Sequence, residues 1–196
     1  MVVALDPFSL LPLWCFFTTT GHVPPIMATC PPARTTFFHK CDMISGFSTV
    51  PTISSVSGDV YIGDDNGNIF ALHANGTLKW AKCAEATMNG ILKTVAPPLI
   101  DAEEHLYISL SQYDSDNPNP DLEWVGLLAA VNGKTGKWLW SFSPMCDFSG
   151  EQPCTRYPLN PYGSVIAAPV LTSSGSLLFG ATGYLYALNS SAQCPK

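Results

Sequence analysis

Apolar positions in this chain fall into short runs separated by Gly, Asn, Asp or Pro: Val60-Tyr61-Ile62, Ile69-Phe70-Ala71-Leu72, Leu106-Tyr107-Ile108 and Leu177-Leu178-Phe179. Some alternate with polar residues and some are apolar throughout. Runs so short, with turn residues between them, predict β-strands, and nothing in the chain predicts a helix. One phrase recurs: Val2-Val3-Ala4-Leu5-Asp6…Trp14, Phe70-Ala71-Leu72-His73…Trp80, Ala129-Ala130-Val131-Asn132…Trp140 and Tyr186-Ala187-Leu188-Asn189. The Ala-to-Trp spacing is 14−4 = 10, 80−71 = 9 and 140−130 = 10. Upstream of the last three copies lies a Pro-apolar stretch with a second apolar run: Val50-Pro51-Thr52-Ile53 before Val60, Ala96-Pro97-Pro98-Leu99-Ile100 before His105, and Ala168-Pro169-Val170-Leu171 before Ser176. The implied unit is a small antiparallel sheet of about four strands. Its period, 72−5 = 67, 131−72 = 59 and 188−131 = 57, exceeds the roughly 40–50 residues that a repeat of four short strands needs, so each unit must carry an insertion.

The segment Ala130-Val131-Asn132-Gly133-Lys134-Thr135-Gly136-Lys137-Trp138-Leu139-Trp140, with its preceding strand and Pro-rich opening, resembles the tryptophan-docking repeat of the pyrroloquinoline-quinone-type β-propellers. That superfamily includes quinoprotein dehydrogenases and many non-enzymatic propellers. The resemblance implies an all-β fold of four-stranded antiparallel blades, about three blades plus a partial one. Ala4, Trp14, Ala71, Gly76, Trp80, Ala130, Gly136, Trp140 and Ala187 are the repeat positions, with the Trp residues largely buried. The expected division is the end of a blade at 1–17, a Cys/Pro-rich insertion at 18–49 and a blade at 50–83. A blade at 96–142 with an insertion at 111–123, a Cys-containing insertion at 143–163 and an incomplete blade at 164–196 follow. Such an arc is expected to be part of a larger propeller, a truncated product, or a ring completed by other chains. A tight closure of Val2–Phe17 onto Ser164–Leu188 is the less favoured outcome.

Composition narrows the class. Hydrophobic residues make up 46% of the chain and charged ones 12%, which predicts an ordered core rather than a disordered segment. Nine basic against fifteen acidic residues give a net charge of −6, and the basic ones are scattered singly. Nucleic acid is therefore not an expected partner. The run from Leu10 to Phe17 has no Lys or Arg before it, carries Pro12 and follows Asp6. It reads as strand rather than signal peptide, and it is too short for a membrane span.

Seven cysteines leave the redox compartment open. Cys30 with Cys41, and Cys146 with Cys154, lie inside insertions, where disulfides would restrict loops that lack a core. Free thiols and a Zn site, with His39 as the only nearby imidazole, are the alternatives. Asn75-Gly76-Thr77 and Asn189-Ser190-Ser191 are glycosylation sequons. With the cysteines, they point to secretion or a secretory-pathway lumen, the cytosol being the alternative.

In the dehydrogenases of the resembled superfamily, the cofactor lies on the propeller axis against a Trp, near a disulfide between adjacent cysteines, with Ca²⁺ and a catalytic Asp. This chain has no adjacent Cys pair. No catalytic, cofactor or metal residue is assigned on that basis. Asp114 to Asp121 is oxygen-rich but lacks the EF-hand pattern, and Asp64-Asp65-Asn66-Gly67 reads as a hairpin turn. His73 takes the Asp/Asn slot of the repeat, which predicts a turn role. Ser54-Ser55 lacks the motif of a nucleophile elbow. The expected function is a non-enzymatic scaffold for protein or carbohydrate binding, whose partner is another chain or the rest of the propeller. The alternatives are a fragment of a dehydrogenase using pyrroloquinoline quinone and Ca²⁺, and a truncated product without activity of its own.

Overall fold

A computed structural model of the chain describes residues 2–9, 11–16, 32–33, 47, 49–65, 67–84, 93–94, 96–113, 124–142, 165, 167–181 and 184–189. These residues form strands and turns, with no helix among them. The strands are β1 (Val2–Leu5), β2 (Pro12–Phe16), β3 (Pro32–Ala33), β4 (Thr52–Ile53), β5 (Val60–Gly63), β6 (Asn68–Leu72), β7 (Leu78–Cys83), β8 (Lys93–Thr94), β9 (Leu99–Ile100), β10 (His105–Tyr113), β11 (Trp124–Asn132), β12 (Trp138–Phe142), β13 (Val170–Leu171), β14 (Ser176–Ala181) and β15 (Tyr184–Asn189). They make four sheets: β1-β2-β3, β4-β5-β6-β7, β12-β11-β10-β8 with β9 also on β10, and β13-β14-β15. Apart from the parallel β2–β3 pair, every sheet is an antiparallel meander. The chain is an arc of β-propeller blades, which we number 1 to 4.

Side chains on a strand alternate between faces, and the middle blades have a neighbour on each face. In blade 2, Val60, Ile62, Phe70 and Leu72 pack with Val2 and Phe16 of blade 1. Tyr61, Ile69 and Ala71 pack with Leu106, Ile108, Leu110, Ala129 and Val131 of blade 3. The other face of blade 3 presents Tyr107 and Ala130 to Leu177, and Leu128 to Phe179 and Ala181, of blade 4. A sheet covered on both faces needs apolar residues at both parities, hence the unbroken runs in β5, β6 and β11.

The repeat Ala has a local cause. Tyr61 pairs with Ala71 and Ala71 with Trp80; Tyr107 pairs with Ala130 and Ala130 with Trp140. The methyl between the aromatics lets them lean together at centroid distances of 6.1 and 6.0 Å, within the range favoured by aromatic pairs. A β-bulge follows this Ala in three blades, between Ala4 and Leu5, Ala71 and Leu72, and Ala130 and Val131. It adds twist where the outer hairpin turns.

One expectation is corrected. Ser111, Gln112 and Tyr113 are not insertion: they continue β10, paired with Gly126, Val125 and Trp124. Blade 4 has three described strands, β13, β14 and β15, and the closure of the first segment onto them, already the less favoured outcome, does not form among the described residues. The strands of that first segment pair with each other and with β3, and no pairing with β13, β14 or β15 occurs among the described residues. Trp14, Trp80 and Trp140 are largely but not fully buried. They stand on the outer strands β2, β7 and β12, and the rings of Trp14 and Trp80 lie against the next blade's outer turn.

Candidate functional site

Successive blades meet at a recurrent seam. The indole Nε1 of Trp14 donates to the Ala74 carbonyl at 2.9 Å, and that of Trp80 to the Gly133 carbonyl at 2.7 Å. Each ring covers a glycine of the same outer turn. A Cβ on Gly76 would lie 2.5 Å from Trp14 Cδ2, and one on Gly136 3.0 Å from Trp80 Cδ2. Both glycines also hold positive φ, 83° and 70°, a conformation that other residues reach only at a cost. Trp140 packs beside Leu171 and Leu188 of blade 4.

Between blades 2 and 3 the seam carries a buried polar cluster. Glu104 lies in the β9–β10 turn at φ 65°, the slot filled by Gly58 in the β4–β5 turn and Gly175 in the β13–β14 turn. Its Oε1 accepts the Ser54 hydroxyl of blade 2 at 3.0 Å, Lys134 Nζ stands 3.6 Å from Oε2, and its carbonyl accepts the Gly133 amide at 2.7 Å. Tyr61 Oη donates to the Gly133 carbonyl at 3.2 Å. The Ser57 hydroxyl holds the Glu104 carboxyl below the usual range against the opposing effect of burial, with help from Ser54, Lys79 and Lys134. Nearby, Asp59 pairs with the Lys79 ammonium and with His73 Nδ1 at 3.3 Å. Burial pushes Asp59 upward, but the Lys79 hydrogen bond and charge, with His73 and Ser57, outweigh it and leave the carboxyl below its ordinary value. Burial, then the charges of Glu104 and Asp59, push the Tyr61 phenol up to about 12. Glu104 Oε1 and both Asp59 carboxylate oxygens are engaged by side-chain partners, and the Ser54–Glu104 bond joins the turns of two blades.

On the same turn, ligand atoms of Asp101, Glu103 and His105 lie within 4.8 Å of one another. Asp101 is already engaged, its Oδ2 by His105 Nδ1 at 3.0 Å and Tyr107 Oη at 2.8 Å, and its Oδ1 by the His105 amide at 2.7 Å. The donors define a closed turn that would have to open for a cation to enter.

The two ends of the sheets differ. Turns 6–11, 54–59, 73–77, 101–104, 133–137 and 172–175 lie at one end. At the other end the chain leaves β2 at Phe16, β7 at Cys83 and β12 at Phe142, and the hairpin of β10 and β11 opens at Tyr113 and Trp124. All the long connections therefore start from one end, beside the tight turn in which the Asp64 amide donates to the Asn68 carbonyl at 2.9 Å and Gly67 has φ 75°. His73 serves its turn as expected, its amide and carbonyl bonded to Thr77 and Gly76, and Ser54 is a buried donor.

Cys15 and Cys83 are each disulfide-bonded, although the sequence singled out neither. Cys30, Cys41, Cys146 and Cys154 lie outside the described residues, as does the acidic stretch 114–121. Of the sequon asparagines, Asn75 is exposed at a turn and Asn189 is exposed in β15.

No protein-family profile matches the chain, and no curated protein matches it. Among solved structures it is similar to BamB from Moraxella catarrhalis, at 16% identity over 77% of this chain and 36% of that one, with a TM-score of 0.49. It is similar also to the quinohemoprotein alcohol dehydrogenase from Comamonas testosteroni, at 15% identity over 75% of this chain and 27% of that one, with a TM-score of 0.48. The chain spans about a third of the first protein and about a quarter of the second. The strand order and the repeated seam, rather than these likenesses, carry the propeller assignment.

Proposed function

We propose that this chain is a non-catalytic propeller scaffold that binds another protein or a carbohydrate through the end from which its long connections leave. The observation that carries the reading is the asymmetry of the sheets. Tight, hydrogen-bonded turns and docked Trp side chains fix one end, and all the long connections emerge from the other. Rigid scaffolds commonly place recognition on such connections, while the fold itself confers no activity. The arc forms part of a larger ring, completed by further blades or by another chain. Disulfide-bonded Cys15 and Cys83 favour an oxidising compartment and support a secreted or secretory-lumen location.

The test replaces residues 114–123, and separately 143–164, with a short Asn-Gly turn and screens parent and variants on a glycan array and by cross-linking mass spectrometry. Binding that disappears in the variants while thermal unfolding stays unchanged supports the proposal. Binding that persists in both contradicts it, as does dye reduction that depends on added pyrroloquinoline quinone and Ca²⁺.

A further inference from the structure

The outer turn of blade 2 reads Leu72-His73-Ala74-Asn75-Gly76-Thr77-Leu78, and its fold selects one of the two sequons. Asn75 and Thr77 are both exposed. Asn75 Oδ1 accepts the Thr77 amide at 3.0 Å and the Thr77 hydroxyl at 2.7 Å. The carbonyl oxygen of the carboxamide is thus held back against the turn, and no hydrogen bond among the described residues engages Nδ2. The turn is rigid without the side chain of Asn75: the His73 amide donates to the Thr77 carbonyl at 2.8 Å, the Gly76 amide to the His73 carbonyl at 2.8 Å, and Trp14 covers Gly76. A substituent on Nδ2 therefore displaces no packed group. Asn189, by contrast, is a ladder residue of β15 opposite Ser176, and it lies at the end of a strand rather than in a closed turn.

We infer that Asn75 is an N-glycosylation site, with Thr77 as the hydroxyl residue of its sequon. The reaction joins Asn75 Nδ2 to the anomeric carbon of a lipid-linked oligosaccharide diphosphate. The anomeric C–O bond breaks, the lipid diphosphate departs with the electron pair, and one Nδ2 proton passes to a base of the transferase. The consequence is directional. Asn75 projects from the end with the tight turns, so the glycan shields that end and leaves the end with the long connections open to a partner. The inference rests on the secretory-lumen reading above.

The experiment expresses the full chain into the secretory lumen of a eukaryotic cell and maps the purified protein by mass spectrometry, with and without peptide-N-glycanase, which turns a glycosylated Asn into Asp. Expected is a glycan on the Asn75 peptide, lost in Asn75→Gln and Thr77→Ala, kept in Thr77→Ser, and kept at Asn75 in Asn189→Gln. Thr77→Ser preserves the sequon, so it separates loss of the acceptor from loss of the turn. A bare Asn75 in the parent, whether Asn189 is occupied or not, overturns the inference. Thiol mapping of the same sample distinguishes the two failures: Cys15 and Cys83 oxidised with Asn75 bare defeats the glycan alone, and alkylatable Cys15 and Cys83 defeat the secretory reading as well.

Discussion

The seam between blades 1 and 2 and the seam between blades 2 and 3 share one device and differ in another. In both, a Trp donates to a carbonyl of the next blade's outer turn and lies flat on that turn's glycine. Only the second adds Tyr61 beneath the indole and the Ser54–Glu104–Lys134 bridge beside it. The Trp-on-glycine contact is therefore the general joint of this fold, repeated because it needs only an outer-strand Trp and a turn that can tolerate a ring. The polar bridge is a local reinforcement, placed where a non-glycine residue occupies a positive-φ slot. Strained positions of this kind persist only where surrounding contacts hold them, and Glu104 is held through its side chain and through its carbonyl.

The largest effect that can sharpen this comparison is removal of the indoles. Trp80→Ala takes away a ring that packs on Tyr61 and a hydrogen bond, and should cost about 3 kcal/mol, the low end for losing a large aromatic. Trp14→Ala, with no Tyr beneath the ring, should cost about 2 kcal/mol. Chemical denaturation of both variants checks the order, and equal losses would remove the distinction between the seams.

A smaller effect reverses that order at the glycines. Gly76→Ala meets Trp14 more closely than Gly136→Ala meets Trp80, at similar φ. Each should destabilise by about 1–3 kcal/mol, with Gly76→Ala the worse of the two in thermal melts. A milder Gly76→Ala would mean that the first seam yields more readily than its geometry implies.

The smallest effect is acid sensitivity of the reinforced seam. Asp59 and Glu104 both have carboxyls held below their ordinary values of 3.8 and 4.5. A depressed carboxyl contributes stability that is complete above its unfolded pKa and is lost as the pH falls through its folded one. The melting temperature should thus fall below about pH 4.5. In Glu104→Gln that fall should be shallower, because one of the two groups no longer titrates. An unchanged pH profile in the variant would show that Glu104 does not join the blades.

The strands were legible because blades packed on both faces require apolar runs, and the repeat phrase marks the row in which a small Ala separates two aromatics. The β9–β10 turn was not legible as a repeat: Gly58 and Gly175 announce their turns, but Glu104 fills the same slot with a residue that local sequence does not associate with positive φ. Nor did Ser111-Gln112-Tyr113 read as strand, since Ser111 is a polar residue whose burial comes with a bond to another part of the chain, its Oγ donating to the Val165 carbonyl at 3.1 Å. The Asp59–Lys79 pair joins the turn before β5 to the outer strand β7, so spacing along the chain gave no sign of it.

The measurement that bears most directly on the joint is a double-mutant cycle of Trp80→Phe and Gly136→Ala, read by equilibrium denaturation. If the ring lies on the glycine, the smaller Phe ring makes room for the added Cβ. The double variant should then be less destabilised than the sum of the singles, by about 1 kcal/mol. Additive losses, agreeing within about 0.3 kcal/mol, would contradict the docking of one blade on the turn of the next.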